Sequence, residues 1–158
     1  MTTSECAECG ARYSSAADSC ANRFDQLLAL DHSRREPWGS RHGQAFAAFA
    51  LQHPGRHDAS LDVAWAALFR IYCLKEPPSH VFATLRSEGA GRNSTAGVPP
   101  RPSRMTTKPA TTIADLRDFA APTYATRLDE WCIATLRAYG ADALAAATSE
   151  PSPPSNAR

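Results

Sequence analysis

The sequence predicts an all-α fold: a small bundle of about five or six helices with an N-terminal zinc-knuckle-like arm. Three observations carry this. The apolar 43% of the chain leans on alanine. The β-branched aliphatics are only Val63, Val81, Val98, Ile71, Ile113 and Ile133, and sheets draw on such residues because stiff side chains suit a pleated surface. Apolar residues instead recur at helical steps of three and four.

Taken in order, residues 1–20 hold almost no apolar core of their own and read as an arm. After Cys20, Phe24, Leu27, Leu28 and Asp31 share one face of a first helix. His42, Phe46, Phe49 and His53 come next at steps of 4, 3 and 4 along a second helix over 40–52 and the residue that follows it. Pro54 stops it, because its ring disfavours helical geometry at the preceding residue. Asp58 or Ser60 can cap a third helix over 60–75, with Leu61, Ala64, Trp65, Leu68 and Tyr72 inward. Pro77-Pro78 ends that element. Ser79 can cap a short fourth helix through His80, Phe82 and Leu85.

Residues 87–111 are rich in Gly, Ser and Pro and read as a flexible insert, unable to bury enough apolar surface to offset ordering entropy. Its charges are Arg92, Arg101, Arg104 and Lys108 against Glu88. It reads as a solvated linker in preference to a contact for an acidic partner. Order returns at Thr112-Ile113-Ala114-Asp115, a capping-box-like start. Pro122 suits the first turn of a last long helix, whose stripe is Tyr124, Leu128, Trp131, Cys132, Thr135 and Tyr139. The chain then divides as one helical domain over 1–148: arm 1–20, helical half 20–86, insert 87–111, helical half 112–148. A disordered tail covers 149–158.

With 158 residues, one domain is expected. The charges, 17 Lys+Arg against 16 Asp+Glu, give no strong global field and argue against a nucleic-acid partner. No run approaches a membrane span. The N-terminus shows no basic-then-apolar signal segment, so the expected compartment is the cytoplasm. There, five cysteines read as thiols or metal ligands in preference to disulfides.

Cys6-Ala7-Glu8-Cys9-Gly10 is the sharpest local signal. Two cysteines two residues apart grip one ion from a tight turn, and Gly10 relieves crowding where the backbone bends back. A structural zinc needs four ligands, and Cys20 is the natural third. Helix pairing selects the fourth. Two helices of similar length joined by a short loop pack antiparallel, which brings His53 beside Cys20 and leaves His42 beside Leu30 and His32, about 15 Å away. The expected metal ligands are therefore Cys6, Cys9, Cys20 and His53, with His42 in reserve, and the expected cofactor is structural zinc. Iron at such a thiolate site is not separable by sequence. A redox CxxC would need βαβ context, which is not evident. Incidental thiols and a catalytic metal with an open position are the other readings.

The loop after the first helix carries Arg34, Arg35, Trp38 and Arg41. Arginine forks suit phosphate or carboxylate, and tryptophan can stack on a planar ligand. The plainer reading has Trp38 tucked on the core. His42 has the chemistry of a general base, but a lone histidine on an apolar stripe is more often a hydrogen-bonded core residue. Cys73 and Cys132 read as buried packing thiols, and His57 and His80 are weak candidates. Asp129-Glu130 are adjacent on a helix and diverge. No GxSxG, HExxH, P-loop or GxGxxG occurs. The expected function is a binding or interaction module docking an unknown protein or a small anionic ligand. The alternative is a metal-dependent enzyme of hydrolase or thiol-transferase type using His42 and His53.

Cys6-x-x-Cys9-Gly10, Cys20, Phe24-x-x-Leu27-Leu28-Ala29-Leu30, His42 and Leu51-Gln52-His53-Pro54 together resemble a family of small uncharacterised bacterial proteins classed as a domain of unknown function. Thr112-Ile113-Ala114-Asp115 and Leu128-x-x-Trp131 look like its C-terminal half. The resemblance implies a helical domain with a zinc-like Cys/His set, and no established activity.

Overall fold

In a computed structural model, residues 3–57, 61–88, 95 and 97–149 are described. The fold is predominantly helical, as expected. Among these residues are six α-helices: α1 (Cys20–His32), α2 (His42–Gln52), α3 (Leu61–Tyr72), α4 (Pro78–Glu88), α5 (Ala121–Ala138) and α6 (Ala141–Ser149). Short 3-10 turns cover Gly39–Arg41, Pro54–Arg56 and Ile113–Leu116. The arm departs from the expectation of no strands. It folds as an antiparallel hairpin of β1 (Ser4–Glu5) and β2 (Arg12–Tyr13), with Ser4 opposite Tyr13 and Glu5 opposite Arg12. Strands of two residues are too short to leave a period in the sequence.

α2 is the central helix. Its two chief neighbours are α3 and α5, and eight of its residues, including Gln44 and Gln52, are buried. Around it lie Trp65, Phe69, Leu68, Tyr124, Leu128 and Trp131, all nearly inaccessible to water. Each such side chain contributes about 1.5–3 kcal/mol through removal from water. All six expected stripe residues of the last long helix are buried. In α3, Leu61, Ala64, Trp65 and Leu68 are buried and Tyr72 is half-buried, its hydroxyl donating to Asp129 at 2.7 Å. Asp58 and Ser60 lie outside the described residues, as do 150–158 of the expected tail.

Two expectations need correction. α4 begins at Pro78 itself, and its buried residue is Val81, while His80 is exposed. Proline at a first helical turn loses nothing, because that N–H has no partner in the helix anyway. The expected insert 87–111 is not one uniform segment. Residues 87 and 88 finish α4, and 89–94 and 96 lie outside the described residues. The rest is a non-helical strap tied down by long-range bonds. Pro99 accepts from the Trp65 indole at 2.8 Å, Arg101 meets Asp62 at 3.0 Å, and Thr111 accepts from Gln52 at 3.0 Å. Composition sees local apolar content only, so it misses order supplied by distant partners.

Gln52 secures the far end of the central helix. Fully buried, it donates to Thr111 and, at 2.8 Å, to Thr135 of α5. It thereby fixes the C-terminal end of α2, where His53 stands.

Candidate metal centre

The hairpin turn brings the first two thiols together. The Gly10 amide donates to the Cys6 carbonyl at 2.8 Å, and the Cys6 amide to Ala11 at 2.8 Å. Gly10 sits at φ +79°, a left-handed conformation that glycine adopts without strain. The third thiol opens α1. Ser19 caps that helix by accepting from the Asn22 amide at 3.1 Å, which places Cys20 on its first residue.

His53 is the C-cap of α2. Its ring stacks on Phe49 with centroids 4.2 Å apart, and Phe49 in turn stacks on Phe24 of α1 at 3.9 Å. That column of rings runs across the α1–α2 pair and orients the imidazole. Nδ1 lies 2.8 Å from the Phe49 carbonyl. A carbonyl only accepts, so Nδ1 carries a proton, and Nε2 is the nitrogen left for a ligand. His53 is 2% exposed, and Nε2 has no hydrogen-bond partner.

One ligand atom from each of Cys6, Cys9, Cys20 and His53 lies within 4.8 Å of all the others. Cys9 and Cys20 sulfurs are 3.6 Å apart. A tetrahedral ion with zinc–sulfur bonds near 2.3 Å sets sulfurs about 3.8 Å apart, so the pair is already spaced for one cation. Cys9, Cys20 and His53 are buried and Cys6 is half-buried. Cys20 is pulled down to about 4, chiefly by the hydrogen bond with Cys9, with the His53 ring and then Tyr13 adding to it, against the desolvation of burial. The same bond, with burial, pushes Cys9 far above the ordinary thiol range. A hydrogen bond between the two sulfurs needs a proton on one of them, which a bound cation would displace.

The chemistry of the set suits a soft-to-borderline ion. Three thiolates and one imidazole in a tetrahedron are a zinc or iron donor set. The imidazole nitrogen beside these sulfurs is the fourth donor that such an ion takes.

Sequence reasoning missed the residues that hold this arrangement. The Tyr13 hydroxyl donates to the Cys20 sulfur at 3.0 Å. Glu8 accepts from the Gly55 amide at 2.9 Å, tying the knuckle to the turn after His53. Lys108 of the strap donates to the Ala7 and Glu8 carbonyls at 2.7 and 2.9 Å. Lys108 is a hundred residues from Glu8 in the chain, and no local pattern announces such a contact. The glutamate inside the CxxC is the one visible sign.

His42, the reserve ligand, is elsewhere. Its Nδ1 is 2.8 Å from Asp31, and its ring lies 5.9 Å from that of His32. Eleven helical residues separate it from His53, a rise of about 16 Å. The two imidazoles cannot share an ion, which removes the catalytic pairing of His42 with His53. His57 packs edge-on against Phe46 and Phe49, and burial pushes its ring below the ordinary imidazole range.

In the arginine loop, Arg34 and Arg35 are exposed and Arg41 is half-buried. Trp38 is tucked on the core. It is 9% exposed, its indole N–H donates to Phe119 at 2.9 Å, and the Arg35 guanidinium lies 5.3 Å over its ring. It is not placed to stack on an incoming ligand. Cys132 is buried, and desolvation pushes its thiol up to about 12; Cys73 is only half-buried.

No curated protein and no solved structure matches this chain. A family model does, over residues 4–140, from the first strand to the glycine that ends α5. That span includes all four clustered residues and leaves out α6. The chain therefore belongs to the family of unknown function DUF5946.

Proposed function

We propose that Cys6, Cys9, Cys20 and His53 hold one structural zinc ion, and that the chain acts as a non-enzymatic binding module. The observation that supports the metal reading best is the convergence of four ligand atoms within 4.8 Å of one another, with the buried Nε2 of His53 facing the Cys20 sulfur without a well-formed hydrogen bond. An unsatisfied buried polar atom costs about 1–3 kcal/mol unless something meets it. Four protein ligands fill a tetrahedron and leave no position for a reactive water. The module reading follows from that closed set, together with the absence of a nucleophile–base–orienter constellation among the described residues. The exposed Arg34 and Arg35 offer forks for a carboxylate or phosphate on the partner.

Metal analysis of the purified full chain tests this. One equivalent of zinc is expected, and Cys6→Ser should fall below about half an equivalent. Substoichiometric metal in the wild type, with Cys6→Ser behaving identically, overturns it.

A further inference from the structure

The opposite end of α2 carries a second constellation, separate from the metal centre. A groove of about 250 Å³ runs between α2, α3 and α4. Phe46, Val63, Phe82 and Leu85 supply apolar wall. Among the described residues, the only ionisable side chains lining it are His42 and Arg86, and both are bases. Gly43 shapes this space. A Cβ there would meet the Phe82 ring at 2.6 Å, so only glycine lets that ring lie against the first turn of α2.

The two bases are differently prepared. The Asp31 carboxylate, 1% exposed, sits 2.8 Å from Nδ1 of His42 and does not line the groove. It fixes the ring so that Nε2 is the nitrogen left for a ligand. The hydrogen bond to Asp31 also raises His42 above the ordinary imidazole range, outweighing desolvation. With both nitrogens protonated, Nε2–H donates. The nearest other imidazole, His32, is exposed and lies 5.9 Å from His42 between ring centres. Arg86 is exposed and has no hydrogen bond or ion pair among the described residues.

We propose that this groove binds a small carboxylate with an apolar body. The apolar body lies among Phe46, Val63, Phe82 and Leu85, and the carboxylate meets Arg86 and Nε2 of His42. The size agrees with a small occupant, since a dry cavity of about 150 Å³ holds benzene. The charge agrees as well: two donors and no acid favour an anion over an amine or an alcohol of the same length. This goes beyond the metal reading and does not depend on it.

Calorimetric titration of the full chain with octanoate, octanol and octylamine tests it. Zinc content is measured in the same samples, so failure of the groove and failure of the metal centre are separable. Octanoate should bind about fivefold or more tighter than octanol, with octylamine weaker than both. Arg86→Gln should remove about fivefold of the octanoate affinity and leave octanol unchanged. Val63→Trp should fill the groove and abolish binding of both. If Val63→Trp does not fold, the exposed Arg86→Gln variant still decides the matter. Equal affinity for octanoate and octanol, no octanoate binding up to about 10 mM, or full binding by a folded Val63→Trp overturns the proposal.

Discussion

The hairpin arm, residues 3–19, and the helical core around α2 are held by different forces. Within the arm only Cys9, Ala11 and Tyr13 are buried. Its fasteners are polar: Glu8 on the Gly55 amide, Lys108 on two carbonyls, and Asp18 on the Arg23 guanidinium at 2.8 to 3.1 Å. The core buries Trp65, Trp131, Phe69 and Leu68 completely or nearly so. Apolar burial sustains the core unaided. The arm has too little of it, and on the proposed metal reading the ion shared with Cys20 and His53 supplies what is missing.

That contrast yields graded expectations. Removing the metal should have the largest effect. Structural zinc contributes about 10–16 kcal/mol of apparent binding free energy in small metallo-domains. Chelation, or Cys9→Ser, should abolish amide protection over the hairpin while α2, α3 and α5 keep theirs, read by hydrogen exchange. Equal loss in both regions would erase the distinction between them.

Trp131→Ala attacks the core instead. It removes a fully buried indole and should cost about 3–5 kcal/mol in urea unfolding, with the whole chain losing protection together.

Lys108→Ala should cost only about 1 kcal/mol, because the amine is exposed and its bonds are to carbonyls. Its effect should be confined to hairpin protection and metal off-rate. A global shift in the unfolding midpoint of the size seen for Trp131→Ala would contradict the assignment.

The smallest effect is in pH. Asp31 raises His42 in the folded state. The stability this pair adds is present below the ordinary imidazole range and is lost as pH rises through the raised folded value. The His42 side chain is 42% exposed, so solvent screening keeps the gain below about 1 kcal/mol. An NMR titration should show His42 above the ordinary histidine value, and Asp31→Asn should bring it down.

Much of the fold and of the metal cluster is legible in the amino-acid order. The α5 stripe comes from 3.6-residue spacing alone. The choice of His53 over His42 comes from antiparallel packing of two helices of similar length, and the structure places each histidine at the expected end of α2. The hidden features are non-local or short. The hairpin has two residues per strand. Lys108 and Pro99 find partners far away in the chain, within a segment whose composition suggests disorder. α4 starts at Pro78, one residue before the expected Ser79 cap, and Val81 is the residue it buries.

One cation bridging the arm to the helix pair is the central claim. X-ray absorption spectroscopy at the zinc edge reads its ligand shell directly. Three sulfurs at about 2.3 Å and one nitrogen at about 2.0–2.1 Å are predicted, with His53→Ala replacing the nitrogen shell while keeping the three sulfurs. A shell of oxygens and nitrogens without sulfur, or a spectrum that His53→Ala leaves unchanged, would contradict it.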